Sequence, residues 1–364
     1  MLESSIDTQV TNLIALIRRK YLSSDTHSIP FDFARKIQYF ALDVISEIGL
    51  GERFGDLDDD EDKFDFVSSV EVGLTISSIS LATGLSSLLR YKWIAERLGP
   101  TEKDKTGLGR LVSNTRDIIT RRLQQGGMQK QPDMMASFAR RGLTSEELIS
   151  EGAFQVMAGA DTTATSLRVI FLYLLSHPRA YAKLQAEIDA AVRDGRAPAS
   201  PGVVSDVEVR KMEYLQAVIK EGMRAHPPIT DAVPKRVPDE GDTVVIGGKS
   251  VFLPGGTNVS VAINALNEDK EVFGEDASEY RPERWLLEKD EGKLALMQRV
   301  HEMTFGYGKY QCLGRPVAMM EMGKAVFEVS RVACRVLCRE LELTENDSCC
   351  APLTCAWPSP TSRG

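Results

Sequence analysis

From Thr144 to His177-Pro178 the chain reads as one unbroken helical pattern, and that run constrains the fold more than any other feature. Thr144-Ser145-Glu146-Glu147 has the form of a capping box, in which a hydroxyl and a carboxylate satisfy the first free N–H groups of a helix. Pro178 can neither donate an N–H nor fit inside a helix, so the pattern stops there. At ~1.5 Å per residue the helix is roughly 50 Å long, enough to cross a whole domain. Everything else must pack around it. With 364 residues, 43% of them hydrophobic, the chain can bury a core of that size as one large domain or two.

The flanking segments are also mostly helical. Ile6, Val10, Leu13, Leu16 and Ile17 recur at helical spacing, and so do Phe33, Ile37, Phe40, Val44 and Ile48. Asp56-Leu57-Asp58-Asp59-Asp60-Glu61-Asp62 lacks the order of an EF-hand and reads as a solvated acidic surface loop. Residues 124–133 read as a flexible connector. Helices are expected over Ala180–Val192 and Met212–Arg224. Strand-like runs follow at Thr243–Ile246 and Val251–Phe252, separated by glycines, with Val259–Ile263 as a third. The expected fold class is mainly α with a small β element.

Forty-four basic and fifty-two acidic residues give a net charge of −8 without a dense Lys/Arg block, which argues against nucleic acid as a partner. The opening MLESSIDTQVTNLIALIRRKY is amphipathic and interrupted by charge. It is neither a secretory h-region nor the ~20 apolar residues of a membrane span, so the chain as given reads as cytoplasmic. Five of six cysteines (Cys334, Cys338, Cys349, Cys350, Cys355) crowd the carboxyl end. Their irregular order, with no histidine at finger spacing, argues against zinc.

Three groups of residues carry chemistry. Phe305-Gly306-Tyr307-Gly308-Lys309-Tyr310-Gln311-Cys312-Leu313-Gly314 presents one cysteine on a glycine-jointed loop, just before a helical pattern through Val317, Met320 and Lys324. Gly306 and Gly308 permit positive φ and close approach to a flat ligand, while Phe305 and Leu313 offer apolar walls. A helix N-terminus stabilises a thiolate, and a thiolate is one of the axial ligands of haem iron. Ala158-Gly159-Ala160-Asp161-Thr162-Thr163 puts poor helix formers in the middle of the long helix. There a threonine hydroxyl can bond a carbonyl one turn back, Gly159 leaves room for a flat ligand or O2, and an acid beside an alcohol suits proton delivery. Glu221 and Arg224 share a helix face at i, i+3. Glu328 and Arg331 repeat that spacing and read as an ordinary surface pair.

Taken together and in this order, these residues resemble the cytochrome P450 monooxygenases, over about Leu2 to Lys324, and most closely fungal members similar to pisatin demethylases. The resemblance implies a P450 fold forming a single domain over 1–364, with 330–364 as a divergent tail. It implies haem ligated by Cys312, with Phe305, Gly306, Gly308 and Lys309 around the cofactor. Asp161 becomes the relay acid and Thr162 the hydrogen-bonding alcohol. Glu221, Arg224 and Arg284 become a structural triad, Arg284 lying in Arg281-Pro282-Glu283-Arg284-Trp285. Arg236, or Lys235 beside it, matches a basic residue that pairs with a haem propionate. Where the family has Arg or His two residues before the cysteine, this chain has Tyr310, for which Lys309 is a candidate substitute.

The implied function is insertion of one oxygen atom from O2 into a small apolar substrate, in fungal secondary metabolism or detoxification. Electrons would come from NADPH through a P450 reductase, and relatives usually sit on the endoplasmic reticulum membrane. Val156, Ala160, Ile229, Asp231 and Ala232 are the expected pocket residues. The resemblance also implies that an amino-terminal quarter, with its anchor, larger sheet and Trp-x-x-x-Arg haem contact, is missing. Trp93 and Arg97 have that contact's spacing but lie beyond the segment where it belongs. A closing β-hairpin is replaced by the cysteine-rich tail. Two other readings follow: a haem-binding remnant or non-redox haem-thiolate isomerase, and a helical interaction protein without cofactor. The latter leaves the cysteine loop and the triad unexplained.

Overall fold

A computed structural model describes residues 2–23, 29–85, 88, 91, 93–94, 107–126, 133–230 and 234–340. The helices before the strands are α1 (Leu2–Lys20), α2 (Phe33–Leu50), α3 (Asp56–Asp59), α4 (Phe66–Ala82), α5 (Gly107–Gln124), α6 (Met134–Arg140), α7 (Ser145–Ser176), α8 (Pro178–Arg193), α9 (Asp206–Lys211) and α10 (Glu213–Ala225). Strands β1 (Lys235–Arg236), β2 (Asp242–Ile246), β3 (Lys249–Leu253) and β4 (Asn258–Val259) follow. The chain then returns to helix in α11 (Ile263–Asn267), α12 (Lys270–Phe273), α13 (Arg284–Leu287), α14 (Glu291–Glu302) and α15 (Arg315–Glu340). The architecture is mainly α with a small β element, as the patterns predict.

Helix α7 is the axis. Its capping box is closed, with Thr144 N donating to Glu147 Oε2 at 2.8 Å and Glu147 N to Thr144 Oγ1 at 3.4 Å. His177 ends it, and Pro178 opens α8, where a missing N–H loses no hydrogen bond. α2 lies along α7, α15 packs on both α7 and α1, and α1 returns to α2, so these four helices form a bundle. Its core joins Ile6, Val10, Leu13 and Leu16 to Ile37, Phe40, Val44 and Ile48, the residues picked out by periodicity, and to Leu167, Ile170 and Phe327.

A second apolar cluster sits where α2, α5 and α7 meet, and it corrects two expectations. Val156 and Ala160, expected in a substrate pocket, are wholly buried here with Leu42, Ile45 and Ile119. Gly159 leaves no room for a ligand, because a Cβ there would lie 2.7 Å from Ile45 Cγ1. The glycine serves the close crossing of two helices.

The acidic segment is another correction. Asp56 starts the short helix α3 and is fully buried, and Asp43 accepts hydrogen bonds from the N–H groups of Gly55, Asp56 and Leu57. Asp60 pairs with Lys36 at 2.5 Å and Lys20 at 3.1 Å, and Asp62 accepts from Phe66 N and Val67 N at the head of α4. Local charge density predicted solvation; instead the Asp43 carboxylate and Lys36 ammonium of α2, Lys20 of α1 and the first N–H groups of α4 draw Asp56, Asp60 and Asp62 inward, while Asp58, Asp59 and Glu61 stay exposed.

Glu328 and Arg331 are likewise no surface pair. Both are buried; Arg331 donates to Glu328 and to the carbonyls of Pro198 and Gly202, and Glu328 accepts from Val204 N at 3.0 Å. One turn earlier, fully buried Lys324 reaches Glu3 at 2.8 Å and Asp7 at 2.6 Å, tying α15 to α1.

Strands β2 and β3 form an antiparallel hairpin with Ile246 opposite Lys249, so the turn is Gly247-Gly248, both at positive φ as a two-residue hairpin loop requires. The third expected strand is reduced to Asn258–Val259, paired with Lys235–Arg236. Pro234 and Pro238 bracket that partner and stop the ladder, and Ile263 starts α11 instead. α15 continues to Glu340, into the segment expected to diverge. The side chains of Cys334 and Cys338, and Cys349, Cys350, Cys355, Arg97, Asp231 and Ala232 altogether, lie outside the described residues. Trp93 is exposed. Among the described residues no helix is long and apolar enough to cross a membrane.

Candidate functional site

The cysteine loop is built from two short turns joined by glycine. Met303–Phe305 forms a 3-10 turn, Gly306 takes φ 74°, Gly308 takes φ 61°, and Gly308–Tyr310 forms a second turn. A Cβ on Gly306 would sit 2.8 Å from the carbonyl oxygen of Tyr310, so the loop closes only over a glycine. Cys312 N donates to Phe305 O at 2.7 Å, which pins the cysteine across the loop mouth. Cys312 is exposed and α15 begins three residues later. Phe305 is half-buried against the bundle core under the Arg315 guanidinium, 5.6 Å from its ring centre. Leu313 is 95% exposed. Only one of the two expected apolar walls therefore rests on protein; the other projects beside the thiol.

The basic residues divide differently from the expectation. Arg236 pairs with Asp239 at 2.9 Å. Lys235 Nζ stands 4.1 Å from the centre of the Tyr310 ring, and Lys309 Nζ stands 4.9 Å from the same ring.

Asp161 and Thr162 lie half-buried on α7, which runs through the motif as unbroken helix. Thr162 Oγ1 donates to Ala158 O at 2.8 Å, the one-turn-back bond its position predicts. Phe305 and the first turns of α15 pack on the core cluster that contains Ala164 and Leu167, one turn further along α7. The α7 motif and the cysteine loop are thus carried by the same bundle.

Glu221, Arg224 and Arg284 meet in a fully buried knot. Glu221 accepts from Arg224 Nε at 2.9 Å and Nη2 at 2.8 Å, from Arg284 Nε at 2.9 Å, and from Arg281 N at 2.8 Å. The guanidinium groups spend their other donors on the carbonyls of Phe273, Asn267, Asp276, Ala277 and Glu279. This satisfaction on both sides lets two cations and one anion remain buried. Sequence reasoning missed Trp285, whose indole N–H donates to Glu221 Oε2 at 2.9 Å. Its place directly after Arg284 was the available signal. Trp285 also packs on His301, which burial, aided by the charges of Lys220, Arg315 and Arg224, pushes down to about 3. His301 is therefore neutral, and no further cation enters the knot.

An exposed thiol at the head of a core helix and a buried Glu–Arg–Arg knot are the two features that the resemblance to haem-thiolate proteins leads one to expect. The family model described as Cytochrome P450 matches residues 1–329, and the chain belongs to that family. Cytochrome P450 monooxygenase ABA1 of Pyricularia oryzae is 40% identical over 334 residues, covering 91% of this chain and 64% of that protein. Cytochrome P450 monooxygenase aba1 of Botryotinia fuckeliana is 35% identical over 333 residues, with the same coverage of 91% and 64%. Pisatin demethylase of Fusarium vanettenii is 31% identical over 310 residues, covering 82% of this chain and 56% of that protein. The chain thus spans less than two thirds of the length of these relatives.

The residues fit the cofactor that this family implies. Haem needs one soft axial donor open to approach and apolar surface beside it. Cys312 supplies the donor, Leu313 and Phe305 the surface, and the loop's hydrogen bond to Phe305 O holds the sulfur side outward.

Proposed function

We propose that this chain is a haem-thiolate monooxygenase acting as a single domain on a small apolar substrate of fungal secondary metabolism. The observation that carries the reading is Cys312, exposed on a glycine-jointed loop at the head of α15 in a chain of the P450 family. Held through Cys312, haem would supply O2 activation for insertion of one oxygen atom into the substrate, with electrons from NADPH through a partner reductase. Asp161 and Thr162 move protons on the α7 side. Thr162 Oγ1 is already oriented by its bond to Ala158 O, and Asp161 is the adjoining acid. Phe305 and Leu313 offer apolar surface beside the sulfur, against which a bound cofactor would exclude water. The knot of Glu221, Arg224 and Arg284 fixes α10 to the segment from Asn267 to Trp285 that leads toward the loop, and is given a structural role. The relatives named as monooxygenases, together with the pisatin demethylase, support the reaction class.

The test is the absorption spectrum of purified, haem-reconstituted, reduced protein under CO. A Soret band far to the red that Cys312→Ser abolishes is expected. Failure to take up haem, or a band unchanged by that substitution, overturns the reading. Thr162→Ala is expected to leave NADPH oxidation running while product formation falls, and unchanged coupling removes Thr162 from proton delivery.

A further inference from the structure

Where α1 passes the far half of α15, a cleft of about 390 Å³ opens between the two helices and residues 200–203. That volume falls within the ~300–1,000 Å³ of small-molecule sites. Thr11, Ile14, Ala15 and Arg18 line it from α1, at the i, i+3, i+4 and i+7 positions that share one helix face. Pro201 and Val203 add apolar surface opposite Ile14 and Ala15. Glu328 and Arg331 line it from α15, which begins at Arg315. At ~1.5 Å per residue they stand roughly 20 Å along that helix, so the cleft is separate from the cysteine loop.

The charges around the cleft are committed, with one exception. Glu328 and Arg331 bind each other and the backbone of Pro198, Gly202 and Val204. Arg19 donates to the carbonyl of Asp58 at 3.1 Å, and Thr11 spends its hydroxyl proton on Asp7 O at 2.8 Å. Arg18 is exposed and donates to Ser200 Oγ at 2.8 Å, and among the described residues no carboxylate lies within ion-pair distance of it. That bond leaves Ser200 its own proton to donate and leaves Arg18 its other N–H groups. A cation and a hydroxyl donor thus stand side by side at the rim of an apolar cleft. A carboxylate accepts from both at once, and charge-assisted bonds of this kind are the strong ones.

We propose that this cleft binds an amphipathic carboxylate, its head held by Arg18 and Ser200 and its apolar tail laid on Ile14, Ala15, Pro201 and Val203. Such a ligand ties α1 to the segment that α15 already grips through Arg331, and so stabilises the folded bundle by mass action. Its occupancy needs no haem, so it is measurable apart from the haem-thiolate reading.

The probe is decanoate, titrated by calorimetry into the full chain, with decanol as the uncharged control and decyltrimethylammonium as the cationic one. Variants are Arg18→Gln, Arg18→Lys and Ala15→Trp, each checked by far-UV circular dichroism; both positions are exposed, so folding is expected to persist. Decanoate is expected to bind the parent at one site, about tenfold more tightly than decanol, with no binding of the cation. Arg18→Gln is expected to weaken decanoate about tenfold, the loss of one charge-assisted contact, and to leave decanol unchanged. Arg18→Lys recovers part of that loss, Ala15→Trp fills the cleft and abolishes both ligands, and added salt weakens decanoate alone. Equal affinity for decanoate and decanol, or decanoate binding that survives Arg18→Gln and Ala15→Trp undiminished, overturns the proposal. A parent that binds no decanoate overturns it too. In that case a Tm lowered by Arg18→Gln assigns the cleft to another part of the chain, and a sedimenting dimer split by Ala15→Trp assigns it to a second copy.

Discussion

Asp56 has no exposed surface, and among the described residues no donor reaches its Oδ2. Burial, with the charge of nearby Asp43 added, pushes its carboxyl up to about 7. The folded protein therefore holds a proton that the unfolded chain releases near 3.8. A carboxyl raised in this way contributes stability that is complete below the lower value and lost as pH rises through the upper one. Asp56→Asn keeps the site neutral throughout, so its Tm is expected to stay level from about pH 4 to about pH 7 while the parent's falls. Parallel slopes would mean that another group governs the dependence. Glu221 poses the opposite case, a carboxylate that must stay charged. Glu221→Gln leaves two buried guanidinium groups without their anion and is expected to lower the unfolding free energy by about 3–5 kcal/mol in urea titrations. Trp285→Phe removes one donor and keeps the ring, so about 1 kcal/mol is expected. Comparable losses from the two substitutions would show that the knot is held by packing. The three charged members were legible through the family resemblance and its proline context, since the spacing alone recurs at Glu328 and Arg331. Trp285 was not, since a tryptophan's bulk is visible in a sequence but the direction of its N–H is set by tertiary packing.

Elements whose limits are set locally were read correctly from the chain. α7 starts at a capping box and stops at a proline, and the hairpin turns on Gly247-Gly248; in both cases neighbouring residues alone decide the geometry. Elements whose character depends on a distant partner were misread. The acidic segment folds inward because the Lys36 ammonium and the Asp43 carboxylate of α2 meet it, and β4 is short because its partner is bracketed by prolines. Gly159 belongs to the same group. Within α7 it looked like space for a ligand, and only the approach of Ile45 from α2 reveals its use. Gly159→Val therefore tests helix crossing: overpacking is expected to lower stability by about 1–3 kcal/mol. Ile45→Ala in the same chain should recover part of that loss, and a double-mutant cycle on urea melts measures the coupling. Strict additivity would place the two residues out of contact.

Across the whole molecule, the bundle is closed by one ammonium. Lys324 is fully buried, while its partners Glu3 and Asp7 keep side-chain exposures of 40% and 36%. The asymmetry decides which substitution hurts. Glu3→Gln with Asp7→Asn strands a buried cation and is expected to cost about 3–5 kcal/mol, whereas Lys324→Met leaves two carboxylates that water can reach and is expected to stay within about 1 kcal/mol of the parent. Thermal melts of both variants check the order, and a reversed order would mean that Lys324 is solvated. No part of this closure was legible in the sequence, because helical periodicity treats Lys324 as one more polar position. The contact also has a consequence in time. Asp7 and Lys324 are 317 positions apart. At ~5–20 residues per second of synthesis, α1 emerges roughly 15–60 s before the helix that completes its bundle. Throughout that interval its stripe of Ile6, Val10 and Leu13 has α2 to pack against but no α15 to meet, so α1 stays half-covered until synthesis is nearly finished.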